Sequence, residues 1–349
     1  MAGARGYSSY RGRGAKWKIL LAALLILIIL AALAVLYLQQ HIVYDEDGRP
    51  WIDFPWAQEQ TSDVPPEKAP SEVELIVQEP EPPPSALTLS LSDAPLTMAS
   101  WFMWLDGTQN SDCRAVVITL KDSGSQIYFD AEGAVSRTVK TEDDTAAALA
   151  AMTAQEELRT IARFSCFLDG RAANSNVRAM GLRNTGGYIF YDGNNNQWLD
   201  PSKPAAREYL CALAVQIAEL GFDELLLTDL SYPTEGKINK IDYNGDGPIE
   251  NNLTLFLTEL KAALAPYEIT LSLELPETVV FSGADEVSGQ TLSLLAPLVG
   301  KIYAVTEPGR VENLAAAVTR AGGEEVSFVP ELAADDASLT GERLLLPQE

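Results

Sequence analysis

Apolar residues fall along this chain in two different ways. From Ile19 to Leu38 they are continuous, and twenty residues, ILLAALLILIILAALAVLYL, pass without a charge. A helix rising about 1.5 Å per residue makes that run roughly 30 Å long, the thickness of a bilayer's hydrocarbon core. A secretory signal peptide has a shorter apolar region, about 7–15 residues, followed by a small-x-small cleavage site. Here the run ends in Tyr37-Leu38-Gln39-Gln40. It therefore predicts an uncleaved transmembrane anchor over 19–38.

Beyond residue 85 the apolar residues come instead in short runs: 86–92, 115–121, 158–168, 223–230, 268–275, 301–306 and 325–332. Helical patterns lie between them. Thr141-Glu142-Asp143-Asp144 reads as a capping box before an alanine-rich helix. Residues 205–220 place Leu210, Leu213, Ile217 and Leu220 on one face and stop at Gly221. A further helix over 253–265 would be capped by Asn251 or Asn252 and broken by Pro266, and another over 311–321 ends at Gly322-Gly323. Strands alternating with helices, several of them apolar throughout, predict a parallel sheet buried on both faces. A final RLLLP at 343–347 supplies an eighth strand. Doubly wound sheets and closed barrels share this pattern. The absence of a G-x-G-x-x-G turn favours an α/β fold of the (β/α)8 TIM-barrel type, trimmed in length.

Between anchor and barrel lie two connecting pieces. Residues 39–56 read as a juxtamembrane hairpin around Asp47-Gly48, with Trp51 and Trp56 suited to a membrane interface. Residues 57–84 hold seven prolines among acidic residues, a stiff linker spanning about 80 Å. The barrel domain then occupies 85–349.

Charge orients the whole. The tail, 1–18, carries Arg5, Arg11, Arg13, Lys16 and Lys18 and no acid, so the positive-inside rule puts the N-terminus in the cytoplasm and the barrel outside. The chain has 25 basic and 49 acidic residues, a formal net charge of −24. Such a surface repels nucleic acid, which is excluded as a partner. Cys113, Cys166 and Cys211 are odd in number and lie in or beside apolar runs, which predicts small buried thiols.

The only histidine is His41, beside the anchor, so histidine triads, HExxH zinc sites and histidine general bases are excluded from the domain. Carboxylate chemistry remains. Strand ends carry Asp93, Asp122, Asp169, Asp229, Glu274, Glu307 and Glu331. In a barrel those ends form the rim where catalytic residues sit, and two rim carboxylates can act on a glycosidic bond. An acidic chain also puts acids in loops for solubility alone.

The blocks AVVITLKDSGSQIYF, IARFSCFLD and QWLDPSKPAAREYLCALAVQIAELGFDELLLTDLSYPTEGKINKIDY resemble, in order and spacing, the bacterial putative glycoside hydrolase family of extracytoplasmic TIM-barrel domains. The resemblance spans about 113–243 and continues more weakly to about 330. It implies a saccharide cleft at the fourth strand's end. Lys121 and Asp122 match the family's K-D, Asp169 the D after the third strand, and Trp198, Asp200 and Pro201 its W-x-D-P. Trp198 could stack on a sugar or pack a loop. Where the family reads D-Y-V-R-F-P, this chain reads Thr228-Asp229-Leu230-Ser231-Tyr232-Pro233. The family's acid is thus Thr228 and its arginine Ser231. Asp229 lies one residue later, which on a continuing strand would turn it toward the helices.

The expected function is hydrolysis of an envelope or extracellular glycan without a cofactor. Asp229 and Glu274 form the catalytic pair, and Lys121, Asp122, Asp169, Trp198 and Glu307 contact substrate. The alternative is an inactive glycan-binding or scaffolding barrel. Asp242-Tyr-Asn-Gly-Asp-Gly begins like a calcium loop, but Leu253 occupies the twelfth position, where a bidentate acid belongs, so no metal is assigned.

Overall fold

The computed structural model describes residues 86–347 apart from 93–94, 110, 244–246 and 337, together with the backbone of two short strands, Ile42–Tyr44 and Pro50–Ile52. The expected anchor at 19–38 and the linker at 57–84 lie outside the described residues, as do Asp93 and the centre of the calcium-like loop. Among the described residues no helix is long and apolar enough to cross a membrane. The two short strands pair antiparallel, Tyr44 opposite Pro50 and Ile42 opposite Ile52.

The rest is a closed parallel barrel. Its strands are β1 (Ala86–Leu91), β2 (Cys113–Lys121), β3 (Arg159–Ser165), β4 (Glu224–Thr228), β5 (Thr270–Glu274), β6 (Lys301–Val305), β7 (Ser327–Leu332) and β8 (Glu342–Leu345). Each pairs with its successor, and β8 pairs back onto β1 with Leu344 beside Thr88. Closure decides between the two folds that the alternating pattern allowed. The period-2 side-chain alternation explains why these strands read as continuously apolar: both faces are buried. Ala115, Val117, Ile161, Leu226, Tyr303, Val329 and Leu344 fill the barrel interior. Their neighbours Val116, Ile118, Ala162, Phe164, Leu225, Leu227, Leu273 and Ile302 pack outward under the helices.

The first helices around the barrel are α1 (Met98–Thr108), α2 (Thr145–Thr153), α3 (Gly170–Ser175), α4 (Pro204–Glu219), α5 (Glu250–Leu264) and α6 (Glu277–Ser282). They are followed by α7 (Leu292–Leu295) and α8 (Val311–Gly322). Helix α1 was not expected, because its aromatic-rich WFMW segment carries weak helix propensity. Tertiary packing overrides that: Trp101 is buried and stacks on Trp104 with ring centroids 5.5 Å apart. Thr97 and Ser100 form the capping box there. The box expected at Thr141 does not form. Helix α2 starts at Thr145, whose hydroxyl accepts from the Glu142 amide, and Asp144 accepts instead from the Met98 amide, joining the starts of α1 and α2. The Asn252 amide likewise does not cap α5; it donates to the Tyr232 hydroxyl at 2.9 Å. Between β7 and β8 the described residues form no helix, and there the barrel is trimmed.

Candidate active site at the barrel mouth

The C-terminal ends of β3, β4, β5 and β7 bring four charged side chains and a serine to the mouth. Period 2 sends Arg163 and Ser165 of β3, Glu274 of β5 and Glu331 of β7 into the barrel, on the same face as the interior Ile161, Ser272 and Val329. Arg163 Nη2 lies 2.9 Å from Glu331 Oε2 and 3.5 Å from Glu274 Oε2. Glu331 is fully buried, whereas 27% of the Glu274 side chain is exposed to the cleft. One guanidinium thus serves two carboxyl groups, and the nearer takes the better share.

The consequence is electrostatic. Burial and the neighbouring Glu331 carboxylate push the Glu274 carboxyl up to about 7, against the opposing pull of Arg163, and Asp229 adds to the rise. A group poised near neutrality in a cleft is suited to giving or taking a proton.

Asp229 reaches the same place by a different route. Strand β4 ends at Thr228, and Asp229 takes φ +51°, in the left-handed region that non-glycine residues seldom enter. That turn reverses the outward direction expected of an unbroken strand. The carboxylate swings back over the mouth, where Oδ2 accepts from the Ser165 hydroxyl at 2.6 Å and the Thr228 hydroxyl at 3.3 Å. Asp229 and Glu274 line one cleft of about 440 Å³, together with Ser231, Thr234, Glu277 and Asp285. Its far wall is braced by Gln290, which donates to the Leu230 carbonyl at 3.1 Å, and by the Tyr232 amide bonded to the Ser288 carbonyl at 2.8 Å.

The other expected contact residues do not join them. Lys121 and Asp169 are both buried and form an ion pair at 3.0 Å. Lys121 also donates to the Ser165 carbonyl at 2.8 Å, and Asp169 Oδ1 accepts from the Ala172 amide to cap α3. Their groups are spent on each other and on the backbone, so they support the rim from below and offer no surface to a sugar. Asp122 accepts from the Gln126 amide at 2.7 Å and the Tyr128 hydroxyl at 2.8 Å, which holds the turn after β2. Burial, and then the hydrogen bond to Asp122, push the Tyr128 phenol up to about 12. Trp198 is 7% exposed, and its indole donates to Asp192 at 3.0 Å; of its two readings, loop packing is the one seen. Glu307 is exposed on the loop after β6 and does not line the cleft. Arg163 and Ser165 are site residues that the strand-end acids do not point to, although both lie in the IARFSCFLD block and strand alternation places them on one face. Glu331, one of the strand-end acids, joins the site through Arg163.

Among the described residues no group of three histidine, cysteine or acidic side chains could hold a metal ion, and Asp242 of the calcium-like loop pairs with Arg183 at 3.2 Å. All three cysteines are free; burial pushes the Cys166 thiol upward.

A closed barrel with a carboxyl pair at its C-terminal mouth defines a glycosidase-like class of protein. The chain belongs to the DUF4015 family, described as a putative glycosyl hydrolase domain, whose sequence signature matches residues 94–322. No curated protein sequence matches it. Among solved structures it is similar to the glycoside hydrolase domain of PgaB (BpsB) from Bordetella bronchiseptica, at 15% identity and TM-score 0.51, covering 72% of this chain and 84% of that one. A hypothetical protein from Ruminiclostridium thermocellum is 19% identical, covering 54% and 96%, with TM-score 0.45. The glycoside hydrolase domain of PelA from Pseudomonas aeruginosa is 14% identical, covering 71% and 83%, with TM-score 0.41. At these identities the likeness to PgaB is one of fold.

Proposed function

We propose that the barrel hydrolyses O-glycosidic bonds of an envelope or extracellular polysaccharide, held to the membrane by the 19–38 helix with its N-terminus in the cytoplasm. The observation that carries this is the reversed backbone at Asp229, which restores an acid to the cleft one residue after the family's position. Glu274, protonated up to near neutral pH, gives its proton to the departing glycosidic oxygen. Asp229, held by the Ser165 hydroxyl, attacks the anomeric carbon or takes a proton from the attacking water. Water supplies the elements added across the broken bond. A separation of about 5 Å between the two groups gives retention and about 6.5–9.5 Å gives inversion. Membership of a glycosyl hydrolase domain family and the continuous apolar run support the reading.

The test is the full chain in detergent against a panel of neutral, amino and acidic polysaccharides, with Asp229→Asn and Glu274→Gln alongside. Hydrolysis lost in both variants supports the reading; no hydrolysis by the unaltered chain across the panel sinks it. Thr228 and Ser231, which stand where the family carries its acid and arginine, favour a second reading: a barrel that binds glycan and does not cleave it. Retention on a glycan without turnover selects that one.

A further inference from the structure

The cleft does not end at Glu277. A second concavity, about 420 Å³, lies between α6 and α8 and is lined by Glu277, Thr278, Phe281, Arg310, Asn313 and Leu314. Glu277 and Thr278 line both. The two therefore adjoin at Glu277 and Thr278, so that concave surface extends from Asp229 at the ends of β5 and β6 to the N-terminal turns of α6 and α8. Phe281 stands on its lip, 76% exposed, whereas six of the nine described phenylalanines of the domain are buried.

We infer that this extension is a binding subsite for a pyranose ring one or more units along the glycan chain from the bond at Asp229 and Glu274. The inference rests on the reading of that cleft as a glycan site. A pyranose presents an apolar C–H face and a girdle of hydroxyls. Phe281 and Leu314 offer the apolar surface, and the ring face of Phe281 suits stacking. Glu277, Thr278, Arg310 and Asn313 supply both donors and acceptors for the hydroxyls. The polar side is already oriented: Glu277 accepts from the Thr306 hydroxyl and from Arg310, each at 2.8 Å, and these bonds hold its carboxyl below the usual range. A carboxylate fixed by two donors keeps its remaining lone pairs aimed in set directions. Such a subsite makes the substrate a chain of several sugars instead of a terminal residue.

Affinity electrophoresis tests this without requiring turnover. The full chain in detergent is run through gels containing, in turn, soluble β-glucan, α-glucan, galactan, glucomannan, chitosan and alginate. The expected result is retardation by at least one polymer, with the apparent Kd weakened about tenfold in Phe281→Ala and in Asn313→Ala. Phe102→Ala, which removes an exposed aromatic on α1 outside that concave surface, should match the unaltered chain, and thermal midpoints check that each variant is folded. Retardation equal in Phe281→Ala and the unaltered chain, or no retardation by any polymer, overturns the inference. Polymer binding that depends on Phe281 without hydrolysis keeps the subsite and removes the hydrolase reading. Hydrolysis with binding indifferent to Phe281 does the reverse.

Discussion

Two charged clusters sit inside this barrel, one at each end, and they are built on opposite terms. At the N-terminal end Arg159 and Lys301 meet Glu224 and Glu342. Lys301 lies 3.1 Å from Glu224 and 2.6 Å from Glu342, Arg159 lies 2.5 Å from Glu342, and the Tyr303 hydroxyl donates to Glu224 at 2.7 Å. Two cations face two anions in a closed ring. At the C-terminal end Arg163 alone faces Glu274, Glu331 and the nearby Asp229. The first cluster satisfies its charges, and Glu342 is accordingly held below its ordinary range by Arg159 and Lys301 despite the cost of burial. The second leaves one carboxyl short of a partner and lifts it toward neutrality. A barrel can tolerate that imbalance at its mouth because the cleft is open to water, which screens part of the surplus charge. The difference separates a device for stability from one for chemistry.

That contrast can be broken most forcefully at the mouth. Glu274→Gln and Asp229→Asn should each lower kcat on a cleaved glycan by about 10²–10⁴-fold, the range for a lost general acid or base. The Asp229→Asn midpoint should stay near that of the unaltered chain, and the Glu274→Gln midpoint should be no lower, rising above it once the native carboxyl ionises; a large stability loss would assign these acids to the scaffold instead. The reverse pattern is expected at the other end. Glu224→Gln leaves Arg159 and Lys301 short of a buried anion and should cost about 2–4 kcal/mol in chemical denaturation, with kcat of the folded fraction preserved.

The imbalance also has a pH signature. Glu274 holds its proton more tightly folded than unfolded, with an ordinary value of 4.5 raised to about 7. The folded state therefore binds the extra proton across that window, and stability falls as pH rises through it, levelling above about 7. The loss should amount to about 1–3 kcal/mol, and the slope should flatten in Glu274→Gln, followed by urea melts at several pH values. Hydrolysis should hold across that window and decline as pH rises through about 7, where the folded acid loses its proton. The smallest effect lies in the backbone of Asp229. Asp229→Gly and Asp229→Ala both delete the carboxylate, but only glycine suits φ +51°, so the glycine variant should be the more stable by about 1 kcal/mol. Equal midpoints would mean that the strand re-forms through 229 and the turn is not fixed by its surroundings.

Much of the scaffold was readable along the chain. The seven apolar runs and RLLLP became eight strands, with ends shifted by a few residues, and Gly221 sits at φ +86° behind α4, where a helix stop was expected. Glu274 could be placed because it ends an unbroken strand. Local signals misled where a polar residue had a better partner far along the chain: Asp144 with the Met98 amide, Asn252 with Tyr232. A capping or stacking motif shows what a side chain can bond to nearby, and carries no information on what else comes within reach.

The sequence by itself therefore determined the class of this protein: an α/β fold of parallel strands in an acidic domain, free of histidine chemistry, within a family of glycosyl hydrolase domains. Hydrophobic periodicity and charge balance are written residue by residue, and a single strand is enough to express them. Only the tertiary structure decided which acids share the cleft. It buried Lys121 against Asp169, set Arg163 between Glu274 and Glu331, and turned Asp229 back toward Ser165. Each of those outcomes is a meeting between strands, governed by register and by one backbone angle. A one-residue difference in either sends a side chain to the opposite face of the sheet.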